Sequence, residues 1–125
     1  MLSDSDIRKV LSRIVAGESP IAAGTFGSYA IGRAHEGSDL DLLVIQRTAE
    51  PRIARRQRVL RHLFGLMHPA DVHVFTPEEF EEDARNELSF AWVIARQAKL
   101  YRWTDEIAEK MPSLRAAIPT AGVSL

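Results

Sequence analysis

Eight residues, Asp39 to Gln46 (DLDLLVIQ), constrain this chain most. Beyond its two acidic residues the segment is an almost unbroken apolar run, the pattern of a strand covered on both faces. A fold that contains it needs a sheet with packed elements on either side. The charged residues stand at the opening of the run, so that end reaches the surface while the body is buried.

The remaining sequence supplies those layers. Ser3 with Asp6 forms a capping-box pattern, and Ile7, Val10, Leu11, Ile14 and Val15 recur at helical spacing until Gly17 and Pro20. Ile21 to Phe26 reads as a short buried strand weakened by Gly24, and Gly27 to Gly32 as a turn running into a short helix. Pro51 opens a helix whose apolar positions include Ile53, Leu60, Phe64 and Met67, with Val59, Leu63 and Leu66 widening the stripe, until His68 and Pro69 end it. Asp71 to Phe75 (DVHVF) alternates at strand period, and Thr76, Pro77 and Glu79 make a second capping box. Leu88 to Ala98 reads as a helix, Leu100 to Trp103 as a last strand, and Thr104 opens a final helix. The order α-β-α-β-α-β-α-α-β-α predicts an α/β (α+β) sandwich of helices on a small sheet. Residues 1–111 read as one domain, and 112–125 as a loose or docking tail.

Charge and composition narrow the function. The 125 residues hold 16 Lys+Arg against 17 Asp+Glu, so the molecule as a whole carries no general attraction for nucleic acid, and direct nucleic-acid binding is not expected. Cysteine is absent, which excludes disulfide frameworks, Cys-based zinc sites and thiol nucleophiles and suits a reducing cytoplasm. No apolar run approaches the roughly 20 residues that span a bilayer, so no membrane partner is expected.

Asp39 and Asp41 lie two apart on a predicted strand and point to the same face, with Cα atoms about 6.5 Å apart. Two carboxylates so close repel unless a cation lies between them, and hard oxygen ligands suit Mg²⁺ or Mn²⁺. Asp71 opens another predicted strand and joins the cluster if the two strands are neighbours. Three carboxylates can hold two divalent ions about 3.5–4 Å apart, an arrangement suited to phosphoryl or nucleotidyl transfer. Upstream, Gly27 and Ser28 sit where a strand turns, so backbone N–H groups and the Ser28 hydroxyl are expected to cradle an anion.

Gly27-Ser28, ten residues, then Asp39-Leu40-Asp41 resembles the signature of the polymerase-beta-like nucleotidyltransferase superfamily. With Ser38, Val44 and Asp71, the chain is most similar to its minimal nucleotidyltransferase (MNT) family. The resemblance implies a mixed sheet flanked by helices, two Mg²⁺ ions held by Asp39, Asp41 and Asp71, and ATP phosphates at Gly27 and Ser28. Asp71 would help activate the acceptor hydroxyl. Many small members resemble antitoxins that transfer AMP from ATP to a tyrosine of a HEPN-domain ribonuclease toxin. That implies a HEPN-type toxin partner and a homo- or hetero-oligomer. One departure stands out. The family pattern GSxARG has Arg where this chain has Ile31, and Arg33 after Gly32 is the candidate replacement for binding the triphosphate. If Arg33 points away, the competing class is a non-catalytic module that neutralises its partner by occlusion.

Other motifs fail or stay open. Gly27 to Ala34 lacks the Lys and Ser/Thr of a P-loop, and Phe26 stands where a G-x-S-x-G elbow needs glycine. Arg52, Arg55, Arg56, Arg58 and Arg61 crowd one helix, which reads as a solvated face of long side chains, with a phosphate or acidic-partner patch as the alternative. His35, His62, His68 and His73 show no metal-ligand spacing, although His73 shares strand parity with Asp71. Tyr101 and Trp103 read as core or edge-strand residues.

Overall fold

The computed structural model describes residues 1–125. Its first element is helix α1 (Asp4–Glu18), where the Ser3 side chain accepts from Asp6 N–H and the Asp6 carboxylate accepts from Ser3 N–H. Strand β1 (Ala22–Phe26) follows, then β2 (Leu40–Ile45), helix α2 (Arg52–Leu60) and a 3₁₀ turn at Arg61–Leu63. Strand β3 (Ala70–Phe75), helices α3 (Pro77–Ala84) and α4 (Phe90–Gln97), strand β4 (Lys99–Trp103) and helix α5 (Asp105–Lys110) complete the regular elements. A 3₁₀ helix at Pro112–Ala117 buries Leu114 and Ala117, and Leu125 N–H then donates to Tyr101 O at 2.8 Å.

The four strands form one mixed sheet in the order β3-β2-β1-β4. β1 runs antiparallel to β2 and β4, while β2 and β3 are parallel and joined through α2. Side-chain alternation then sorts the core into two layers. Leu40, Leu42, Val44, Val72 and Val74 pack with Ile7, Leu11 and Ile14 of α1 and Val59 of α2. On the opposite face Leu43, Ile45 and Phe75 pack with Phe80, Ala91, Ile94 and Ile107 of α3, α4 and α5. The doubly covered strand read from DLDLLVIQ is β2, whose residues from Leu42 to Ile45 are all buried. Gly24, which weakens β1 as a strand, lets β4 close in: a Cβ there would overlap Lys99 O, beside a register shift at Ala23/Gly24.

Two expectations fail and a third holds only in part. The short helix after Gly27 is a single hydrogen-bonded turn, with Ala30 and Ile31 N–H on Gly27 O and Arg33 N–H on Ser28 O. The helix from Pro51 stops at Leu60, and Ile53, Phe64 and Met67 of its predicted stripe are 70%, 91% and 96% exposed. The α2 side chains that turn inward are Arg55 and Val59. The arginine row is a solvated face only in part: Arg52, Arg56 and Arg61 are exposed, Arg58 is half-buried and Arg55 is buried, and four of the five are paired with carboxylates. Arg55 Nη1 donates to Glu79 Oε1 at 2.6 Å, Arg52 Nη2 to Asp83 Oδ2 at 3.1 Å, Arg56 Nε to Asp71 Oδ1 at 2.8 Å, and Arg58 Nε to Glu18 Oε1 at 2.9 Å. The helix lies with Val59 and the Arg55–Glu79 pair turned inward, and its other paired arginines reach carboxylates of α1, β3 and α3 around its rim.

Candidate active site

The parallel register places Asp41 directly opposite Asp71, on strands about 4.8 Å apart. β1 lies on the other side of β2 and pairs Phe26 with Asp41, so the chain leaves β1 beside the acidic pair. Gly27 takes φ +71°, and a Cβ at this position would overlap Asp41 Oδ2. Only glycine meets both demands, a left-handed backbone and a carboxylate pressed against its Cα. Asp39 stands one residue before β2 and is exposed.

The loop between β1 and β2 is tethered. Ser38 Oγ accepts from His35 N–H at 2.9 Å, and His68 Nε2 lies 3.0 Å from Ser38 O and 3.4 Å from the Tyr29 hydroxyl. Leu40 N–H donates to Pro69 O, which locks the entry of β2 to that of β3.

The two central carboxylates have opposite electrostatics. Burial, then the negative charges of Asp71 and Asp39, push the Asp41 carboxyl above the usual carboxylate range. Burial would raise Asp71 as well, but the Arg56 hydrogen bond, aided by His73, brings it below that range. His73 Nε2 lies 3.2 Å from Asp71 Oδ2, so each oxygen of Asp71 has a basic neighbour. As the side chains stand, no three acidic or imidazole groups are gathered closely enough to hold a metal ion. Asp71 is engaged instead by Arg56 of α2 and by His73, one basic group at each of its oxygens. The donor chemistry fits a hard divalent cation nonetheless, because Asp41 is a carboxylate flanked by two others and lacks a cationic partner of its own.

The remaining predicted residues are placed less tightly. Gly27 N–H donates to Gln97 Oε1 at 3.0 Å, so this donor of the expected anion cradle is occupied by α4. Ser28 lies half-buried at the turn, beside the acidic pair through its neighbour Gly27. Arg33 is exposed and forms no ion pair, and the structure does not bring its guanidinium to the acids. Sequence reasoning missed Arg56 as the partner of Asp71 and Gln97 as the partner of Gly27. It also missed the ring cluster of Phe26, His73 and Phe90 beside the acids, where only the parity of His73 gave a signal.

The profile of the nucleotidyltransferase domain matches residues 5–115. The chain belongs to this family. The four-stranded mixed sheet flanked by helices is accordingly the nucleotidyltransferase fold, and the protein is a nucleotidyltransferase, as the Gly-Ser and Asp-x-Asp spacing implies. Two solved structures share the fold. One is a crystal structure of the toxin-antitoxin MntA-HpeT in a mutant form, with TM-score 0.54 and 20% identity over 86% of this chain and 79% of the other. The other is a crystal structure of a toxin-antitoxin with AMP-PNP, with TM-score 0.50 and 20% identity over 81% of this chain and 77% of the other. Among curated protein sequences none matches this nucleotidyltransferase. No helix of the nucleotidyltransferase is long and apolar enough to cross a membrane.

Proposed function

We propose that this nucleotidyltransferase transfers AMP from ATP to a hydroxyl of a protein partner in the cytoplasm, and that it acts as an antitoxin against a HEPN-type ribonuclease toxin. The observation that carries the reading is the in-register pair of Asp41 and Asp71 beside the glycine turn at Gly27. The two structural relatives, both toxin-antitoxin structures and one of them with AMP-PNP, support the partner class and the nucleotide.

Asp39, Asp41 and Asp71 would hold two Mg²⁺ ions, which when bound neutralise phosphate charge and activate the attacking oxygen. Gly27 admits the phosphates close to the backbone, and the Ser28 hydroxyl donates to them. Arg56 and His73 keep Asp71 ionised, so that it can accept the proton of the acceptor hydroxyl when Arg56 swings aside. The acceptor oxygen forms its bond to the α-phosphorus, the bond from that phosphorus to the bridging oxygen breaks, and pyrophosphate leaves. Asp41 stands beside Asp71 to keep this geometry, and Arg33, exposed at the loop, is free to approach the departing phosphates.

The test is pyrophosphate release from ATP and Mg²⁺ in the presence of a HEPN-domain partner. Stoichiometric release that Asp41→Asn abolishes supports the reading. Release by Asp41→Asn at the wild-type rate overturns it.

A further inference from the structure

Three rings cluster on the face of the sheet that carries the acids. Phe26 directly precedes the Gly27 turn and pairs with Asp41. His73 lies two residues beyond Asp71 on the same strand face, with its Nε2 at 3.2 Å from Asp71 Oδ2. Phe90, the first residue of α4, closes the group edge to face, its centroid 5.0 Å from His73 and 5.6 Å from Phe26. Phe26 is buried, yet Phe90 leaves 50% of its surface in solvent. A large apolar ring held in place from below and open above is a surface made to receive another flat ring.

We infer that Phe90, backed by His73 and Phe26, is the stacking platform for the base of the bound nucleotide. This rests on the nucleotidyl-transfer reading of the same site. The occupant follows from continuity. A triphosphate at the Gly27–Ser28 turn, with its α-phosphorus over Asp41 and Asp71, carries its nucleoside away from the turn, and the ring cluster begins at the residue next to Gly27. Phosphate contacts alone hold any triphosphate equally. An aromatic face adds affinity only for a ligand that carries a base, and it is tolerant of which base because every base has a π-face.

The experiment is calorimetric titration with ATP and, separately, with inorganic tripolyphosphate, both with Mg²⁺. The proteins are the wild type, Phe90→Ala and Phe90→Trp, each checked for native circular dichroism. Phe90→Ala weakens ATP by roughly ten- to a hundred-fold and leaves tripolyphosphate unchanged. Phe90→Trp keeps wild-type affinity and gains a fluorescence signal that ATP quenches and tripolyphosphate does not. The inference is overturned if Phe90→Ala binds ATP as the wild type does, which would assign the ring to the acceptor or to packing. Equal loss of both ligands overturns it too. Failure of the wild type to bind either ligand refutes the nucleotide reading beneath it, a result separate from any effect of Phe90.

Discussion

Replacing Glu79 by Gln removes one charge from the pair that fastens α2 to α3. Arg55 is 7% exposed at its side chain, and it donates to both Glu79 oxygens and, through Nε, to Glu50 O at 2.7 Å. Burial would raise the Glu79 carboxyl, but the Arg55 hydrogen bond and the Thr76 cap pull it from its ordinary 4.5 down to about 2. That drop is equivalent to roughly 3.4 kcal/mol if taken whole. The Glu79 side chain is 32% exposed, and solvent screening reduces the figure to about 2 kcal/mol. Leaving the Arg55 charge buried without its partner acts in the same direction. The sign in pH follows from the depressed value. The contribution is complete above the unfolded carboxyl's 4.5, is lost as pH falls toward about 2, and so shrinks by more than half by roughly pH 3. Urea denaturation of wild type and Glu79→Gln from pH 7 to pH 3 measures the difference between them, in which the other carboxylates cancel. A gap below about 0.5 kcal/mol at pH 7, or one that stays constant to pH 3, refutes the reasoning.

Asp41→Asn should raise stability at pH 7 by about 1 kcal/mol while abolishing transfer, because a half-buried charge facing two others is removed. Its folded carboxyl is raised, so the wild type carries this cost above that value and recovers as pH falls through it; the thermal gap between the two should close in acid. Gly27→Ala should lose about 1–2 kcal/mol from the left-handed φ of +71° alone, read by denaturation, and should also lose ATP binding, since the added Cβ displaces the Asp41 carboxylate. Phe64→Ser and Met67→Ser should each change stability by less than about 0.5 kcal/mol, whereas Leu63→Ala, at a buried position between them and α2, should cost about 2–5 kcal/mol.

Strands were readable where an apolar run ends at a residue that breaks it. Pro20 and Gly27 bound β1, and the switch from DLDLLVIQ to polar sequence bounds β2 to within two residues. The capping boxes at Ser3 and Thr76 were readable for a similar reason, since the signal and the hydrogen bonds occupy the same four residues. Helix α2 misled because its arginines pair with Glu18, Asp71, Glu79 and Asp83, none of which lies within it. Local periodicity could not tell that Arg55 would be buried and Ile53 exposed. At the site, strand parity predicts Asp39 and Asp41 on one face, but Asp39 falls one residue outside β2, whereas the in-register neighbour Asp71 needed only that β2 and β3 be adjacent. Arg56 on Asp71, Gln97 on Gly27 and the ring of Phe90 arise from contacts between distant segments and left no mark in local spacing.

Intact-mass measurement of a HEPN-domain partner, after incubation with this protein, ATP and Mg²⁺, reads the proposed chemistry itself. A partner heavier by one AMP with the wild type, and unchanged with Asp41→Asn, is the predicted result. An unmodified partner held in a tight complex by both proteins would contradict it.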